Sequence, residues 1–312
     1  MTDTLTAILP VFLVILLGHA LRRARFVPDA FWVAAEKLTY LITFPALLTA
    51  NLARADMGTV AWGPLMAVQG IAVLAVAALT MRLRPRLGRT LGLSDPGFTS
   101  VFQGAIRPNT YVGLAVAAAL FGPAGVTLTA ICIAAVIPLV NALAVACLAR
   151  FGDGQGGGPG AVLRGIVTNP LILACLLGLL LNASGLGLPP ILGPFLDILG
   201  RAALPVGLLA VGAGLSAGAL RQGAGAVTVA SAAKLLVLPL LVWALCALAG
   251  LGAMPTTVAV LYAALPCSAS SYVLARRMGG DAPLVAGIIT TQTMLSAATI
   301  PLLAVVLGIA AR

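Results

Sequence analysis

The chain's 312 residues are 61% hydrophobic and only 8% charged, with a mean hydropathy of +1.12; a soluble domain carries about 25% charged residues, so a water-soluble protein is excluded. The apolar length suffices for roughly ten helices of about 20 residues, too many for a single-pass receptor, and 5% aromatics without alternating ten-residue strands argue against a β-barrel. The net charge of +10, from 16 Arg and 2 Lys against 8 acidic residues, falls mostly in connections between apolar runs and reads as membrane topology rather than as a nucleic-acid footprint.

In chain order, the first apolar run, residues 5–21, follows Asp3 and precedes Arg22, Arg23 and Arg25. That order is the reverse of a secretory signal, so the run reads as the first transmembrane helix. Further spans are expected near 33–52, 60–81, 98–121, 125–149, 163–183, 195–217, 224–249, 256–275 and 283–310. One alternate set of connections then holds Arg22, Arg23, Arg25, Lys37, Arg82, Arg84, Arg86, Arg89, Arg150, Arg164, Arg221, Arg276 and Arg277; the other holds only Arg54 and Arg312. By the positive-inside rule the Arg-rich side is cytoplasmic and both termini are external. His19 reads as a solvated interface residue in preference to a proton relay. Asp197 and Arg201, four apart on one helical face, are expected to neutralise each other. Asp197 is then the one intramembrane carboxylate, which disfavours a sodium–proton antiporter. Cys132, Cys147, Cys175, Cys246 and Cys267 lie in apolar runs without CxxC spacing or a partnering His, so they read as buried thiols rather than as a disulfide framework or zinc site.

The two halves resemble each other. Pro10, Gly18 and Pro45 recur 160 residues later as Pro170, Gly178 and Pro205; Pro108 and Gly122 recur 158 later as Pro266 and Gly280; Pro138 has a looser counterpart in Pro301. Each half has five expected spans, an odd number, so the second enters the membrane from the opposite side, as in many secondary transporters. The expected organisation is an all-α polytopic membrane protein of ten transmembrane helices in two inverted five-helix repeats, residues 1–150 and 163–312, joined by a Gly-rich cytoplasmic linker over 151–162. The linker's glycines are no phosphate loop, because no Gly-Lys-Ser/Thr follows them.

The fourth and ninth spans carry the chemistry. FQGAIRPNTYVGL places Arg107, Pro108, Asn109 and Thr110 at mid-depth, and ALPCSASSYVLARR places Pro266, Cys267, Ser268, Ser270 and Ser271 at a similar depth. Proline removes an N–H and clashes with the preceding turn, so both helices are expected to break there and free backbone groups. In lipid such breaks survive beside protein or a watery cavity, and paired breaks in inverted repeats point to a substrate site at the midplane; the alternative is two structural kinks. Arg107, costly at the bilayer centre, either attracts an anion or pairs structurally with freed carbonyls or Asp197. Lys234 in the eighth span has the same alternatives. Thr43, Asn51, Gln69, Gln103, Asn141 and Gln292 either line a pathway or bond between helices.

On ILPVFLVILLGHAL, EKLTYLITFPALL, RPNTYVGL before LFG, and LPCSASSYVLARRMGGD, the chain resembles the auxin efflux carrier family, which includes plant PIN-formed auxin exporters and bacterial organic-acid permeases. The resemblance implies ten helices in two inverted repeats, similar to bile-acid sodium symporters, with broken helices four and nine crossing. It further implies a scaffold of helices one, two, six and seven, a homodimer in many members, and a transport domain moving like an elevator. Pro108, Asn109 and Pro266 fall on the implied crossover, with Cys267 and Ser268 in its second half. The chain lacks the plant members' long hydrophilic loop and carries Arg107 where they have an apolar residue, which argues against auxin itself. The expectation is a carrier of a small organic anion, auxin-like or a dicarboxylate such as malate or malonate, in a bacterial-type inner membrane. Arg107, Pro108, Asn109, Thr110, Pro266, Cys267, Ser268, Ser270 and Asn51 are the candidate substrate residues. No paired aspartates, HExxH or Ser/His dyad is present, so catalysis is not expected. No cofactor is implied, and the coupling ion, H+ or Na+, stays open. A non-transporting receptor of the same fold, or a carrier of a neutral or cationic substrate, is the alternative.

Overall fold

The structure, a computed structural model, describes residues 2–55, 62–153, 160, 167–185, 187–216 and 223–306. The Gly-rich joint lies outside the described residues apart from 151–153 and 160, as do Arg164, Arg221 and Arg312. Among the described residues eleven helical elements follow one another: α1 Thr2–Arg23, α2 Asp29–Ala53, α3 Trp62–Leu91, α4 Asp95–Ile106, α5 Thr110–Phe151, α6 Pro170–Ala183, α7 Leu192–Ala213, α8 Ala224–Leu248, α9 Ala253–Ala263, α10 Ser270–Met278 and α11 Ala282–Val306. Seven of these, α1, α2, α3, α5, α7, α8 and α11, are long and apolar enough to cross a membrane. Two contain a π-helical turn, Thr39–Thr43 in α2 and Ala233–Val237 in α8. Among the described residues no strand occurs; a single antiparallel bridge pairs Pro108 with Cys267.

Several of the stretches expected as spans are interrupted in this order. α5 is 42 residues long and turns at Gly122, whose φ of 57° and ψ of −143° suit glycine alone; residues 110–121 and 123–151 are its two rods. α4 with residues 110–121 fills the stretch expected as the fourth span, and α9 with α10 fills the ninth. α6 has 14 residues, and residues 161–166 ahead of it lie outside the described set.

Glycines set the closest packing. A Cβ on Gly18 of α1 would collide with the Leu209 carbonyl of α7, and one on Gly212 would collide with the Ile15 carbonyl, so these helices meet backbone to backbone. A Cβ on Gly178 of α6 would lie 2.8 Å from Leu52 Cβ and 3.0 Å from the Thr49 carbonyl of α2. Adding 160 to Gly18 and Thr49 gives 178 and 209, so the α1–α7 and α2–α6 contacts use corresponding positions. The helices α1, α2, α6 and α7 pack on one another, while α3, α4, α5, α8, α9, α10 and α11 surround the bridge between Pro108 and Cys267.

At one end of the bundle Arg84 bonds Asp95 at 2.6 Å and lies 4.2 Å over the Phe151 ring, and Asp153 N–H donates to the Gly279 carbonyl at 2.9 Å. At another, Arg54 forms a two-pronged pair with Asp197 at 2.7 and 3.0 Å. That pair corrects the expectation for Asp197. Its partner is Arg54 across the α2–α7 contact, because a guanidinium on a neighbouring helix meets both carboxylate oxygens, whereas Arg201 one turn away contributes only at longer range.

Candidate functional site

The site starts from two helix interruptions. α4 ends at Ile106, Arg107 turns to extended geometry with φ −85° and ψ 118°, and α5 starts at Thr110. Pro108 explains the stop, since it donates no amide and disfavours helical geometry in the residue before it. Asn109 then restarts the chain: its Oδ1 accepts from the N–H groups of Tyr111 at 3.1 Å and Val112 at 3.4 Å, capping two donors that helix starts leave unpaired. In the other half α9 ends at Ala263 and α10 starts at Ser270, with Pro266 in the gap. The interruptions touch: Pro108 and Cys267 form the bridge, and Asn109 N–H donates to the Pro266 carbonyl at 2.8 Å.

Polar side chains absorb the freed backbone groups. Gln292 of α11 accepts from Cys267 N–H at 2.8 Å and donates to the Gly104 carbonyl at 3.0 Å, stitching both breaks with one amide. Lys234, only 1% exposed, sits in the π-helical turn of α8 and donates from Nζ to the Ala263 carbonyl at 2.7 Å. Gln69 of α3 donates to the Ala259 carbonyl at 2.9 Å. Cys267 Sγ donates to Ser271 Oγ at 3.3 Å, buried as expected. These bonds make irregular backbone tolerable at membrane depth.

Arg107 occupies the centre and is 6% exposed. Its Nη2 donates to Asn141 Oδ1 at 2.9 Å and Ser270 Oγ at 3.0 Å, and its Nη1 to Gln103 Oε1 at 3.4 Å. All three partners are neutral, and Asp197, one partner the sequence allowed, is engaged by Arg54 instead. Two further buried donors here, Gln103 Nε2 and Asn109 Nδ2, have no partner among the described residues. Buried donors are normally satisfied, so an uncompensated guanidinium beside two orphan amides calls for an acceptor. At one edge of the cluster Ser270 is exposed and Ser268 half-buried, their hydroxyls 2.9 Å apart.

The structure therefore brings Arg107, Pro108, Asn109, Thr110, Pro266, Cys267, Ser268 and Ser270 to the two interruptions. Asn51 stands apart from their hydrogen bonds: at the C-terminal end of α2, its amide donates to the Leu47 carbonyl of its own helix at 2.8 Å. Sequence reasoning underweighted Gln292 and Gln103, one turn before the arginine. It also overlooked Glu36, half-buried inside α2, which joins Asp197 as a carboxylate within a candidate span. Nearby, Phe44 of α2 stacks on Tyr111 of α5 at 4.5 Å and 4°.

Fold and site define a polytopic helical membrane protein with a buried cationic site where two interrupted helices meet. The profile of a family described as membrane transport protein matches residues 160–304. An uncharacterized transporter of Methanothermobacter thermautotrophicus is 26% identical over 305 residues, covering 96% of this chain and 97% of that protein. The second half of the chain is thus similar to a family of membrane transport proteins, and nearly its whole length to a transporter.

Proposed function

We propose that the protein is a secondary active or facilitated carrier of a small organic anion, auxin-like or a dicarboxylate such as malate or malonate, with Arg107 as the principal anion-binding group. The observation that carries this reading is the buried Arg107 guanidinium, held by three neutral side chains beside the unpaired Gln103 and Asn109 amides. A carboxylate placed there would receive charge-assisted hydrogen bonds from the guanidinium and the two amides. The helix starts at Thr110 and Ser270 add the positive ends of two dipoles. The site residues are Arg107, Pro108, Asn109, Thr110, Pro266, Cys267, Ser268 and Ser270; Asn51, bonded to its own helix, contributes indirectly.

The reading extends to architecture. Ten crossings in two inverted repeats, residues 1–150 and 163–312 about a Gly-rich cytoplasmic linker over 151–162, are supported by the turn at Gly122, by paired interruptions at Pro108 and Pro266, and by corresponding glycine contacts at Gly18 and Gly178. α1, α2, α6 and α7 form a scaffold against which the remaining elements carry the anion in an elevator-like motion. Both termini lie outside, the membrane is a bacterial-type inner membrane, and the carrier is a homodimer. It uses no cofactor and is not an enzyme.

The test is uptake of labelled malonate, malate and indole-3-acetate into proteoliposomes, comparing wild type with Arg107→Ala and Asn109→Ala under imposed proton, sodium and potential gradients. Saturable uptake abolished in Arg107→Ala and reduced in Asn109→Ala is expected. Full uptake in a folded Arg107→Ala protein would reduce the arginine to a structural role, and anion binding without flux would favour a receptor.

A further inference from the structure

Glu36 is the unexplained charge near the site. It lies in the second turn of α2, about 10 Å of helix rise from Asp29, half-buried and without an ion-pair or hydrogen-bond partner among the described residues. A carboxylate inside a membrane helix is costly and marks function unless paired. Glu36, Tyr40 and Phe44 follow at intervals of four along α2, the spacing that stacks side chains on one helix face. Phe44 fixes where that face points, because its ring stacks on Tyr111 of α5, four residues from Arg107. Tyr111 lies within electrostatic reach of Glu36 and Tyr40, and Tyr40 within reach of Arg107. The glycine contacts align α2 antiparallel to α7, with Gly193 at Arg54, Gly200 at Leu47 and Gly207 at Phe44 and Thr39, so Glu36 sits level with the last turns of α7.

Other titratable groups at this level are few. On α2 they are Lys37, exposed, and Tyr40; across the crevice, Tyr111 and Arg107; on α1, His19, whose backbone touches Gly212, and Arg22, paired with Asp29. The facing stretch of α7, residues 204–213, and all of α6 hold no acid or base besides Cys175.

We propose that Glu36 is a proton-binding site linked to the anion site: the empty site leaves Glu36 ionised, and binding of the organic anion at Arg107 is accompanied by protonation of the Glu36 carboxylate. The proposal rests on the anion-carrier reading of Arg107. Its physical basis is Coulombic. An ionised Glu36 at the aromatic wall opposes a second negative charge arriving beside Arg107, and a proton taken from solvent removes that opposition. Linkage makes the effect reciprocal, so the anion raises the proton affinity by the factor through which the proton raises anion affinity. A linkage worth one pKa unit on the carboxylate corresponds to about a tenfold change in Kd.

The experiment is calorimetric titration of the full chain in detergent with malonate, malate and indole-3-acetate, in buffers of different ionisation enthalpy, between about pH 6 and 8, where these acids stay largely ionised. Wild type is expected to take up protons on binding and to bind more weakly as pH rises, by about tenfold across the range. Glu36→Gln, close in shape, should bind without that proton uptake and keep a tight, pH-independent Kd, while Glu36→Asp should restore the slope. An unchanged proton uptake and pH slope in a folded, binding-competent Glu36→Gln protein overturns the proposal. Absence of binding by all three anions to folded wild type instead overturns the anion-site reading, and this inference with it.

Discussion

Where the two interruptions meet, Arg107 bonds side chains and Gln292 bonds backbone. Arg107 spends its donors on Asn141, Ser270 and Gln103, neutral acceptors that orient the guanidinium without cancelling its charge. Arg107→Lys therefore should fold but lose most anion uptake, at least tenfold in the concentration needed for half-saturation, because one ammonium cannot reproduce a planar fork; flux measured against malonate concentration checks it. Gln292 faces the opposite demand. Gln292→Leu would leave Cys267 N–H and the Gly104 carbonyl buried without partners, at about 1–3 kcal/mol for each group. A lowered unfolding midpoint in a detergent melting assay is the expected outcome, and a midpoint equal to wild type would mean that water replaces the amide. Glu36 shows why single residues are hard to rank from sequence. Next to Lys37 and close to the start of its helix it resembles a solvated end, and only the Phe44–Tyr111 stack places its helix face against the site.

At the scale of elements, chain breaks were legible and partnerships between distant helices were not. Pro108 and Pro266 announce interruptions because proline acts locally, through its own missing N–H and the residue before it. Gly122 was legible as a boundary between apolar runs, and its positive φ gives the reason. Gly122→Ala should cost about 1–3 kcal/mol because its positive φ with ψ of −143° lies in a region that residues with a Cβ avoid, although a Cβ there meets open space; comparing its melting midpoint with that of Gly63→Ala, also in open space, isolates the backbone effect. Asp197 illustrates what periodicity misses. Spacing within one helix offered Arg201, but the bidentate partner comes from α2, 143 residues earlier, through packing that glycines at 193 and 200 permit. Gln292 likewise reaches a carbonyl 188 residues away, which no local pattern encodes.

For the whole molecule, the question is whether the two packed groups move against each other. The α1–α7 contact lets no Cβ intervene at Gly18 or Gly212, so these helices behave as one rigid pair, while the crossing is internally stitched by Gln292, Lys234 and the Pro108–Cys267 bridge. Between the groups the polar links among the described residues are few, one being Cys175 Sγ of α6, which donates to the Ala130 carbonyl of α5 at 3.9 Å. Ser216 N–H, just past α7, donates to Thr290 Oγ1 of α11 at 3.0 Å, and the Phe44–Tyr111 stack joins α2 to α5. Rigid bodies joined by few directional contacts can exchange those contacts as a unit, which is the requirement for alternating access. A protein carrying Ser216→Cys with Thr290→Cys, bridged by a short thiol cross-linker, should bind malonate yet lose transport, and regain it when a cleavable bridge is reduced. The native cysteines are buried, so the introduced pair is the one the reagent reaches first. Full flux in a quantitatively bridged protein would mean that α7 and α11 travel together, and the scaffold would then have to be redrawn without α7.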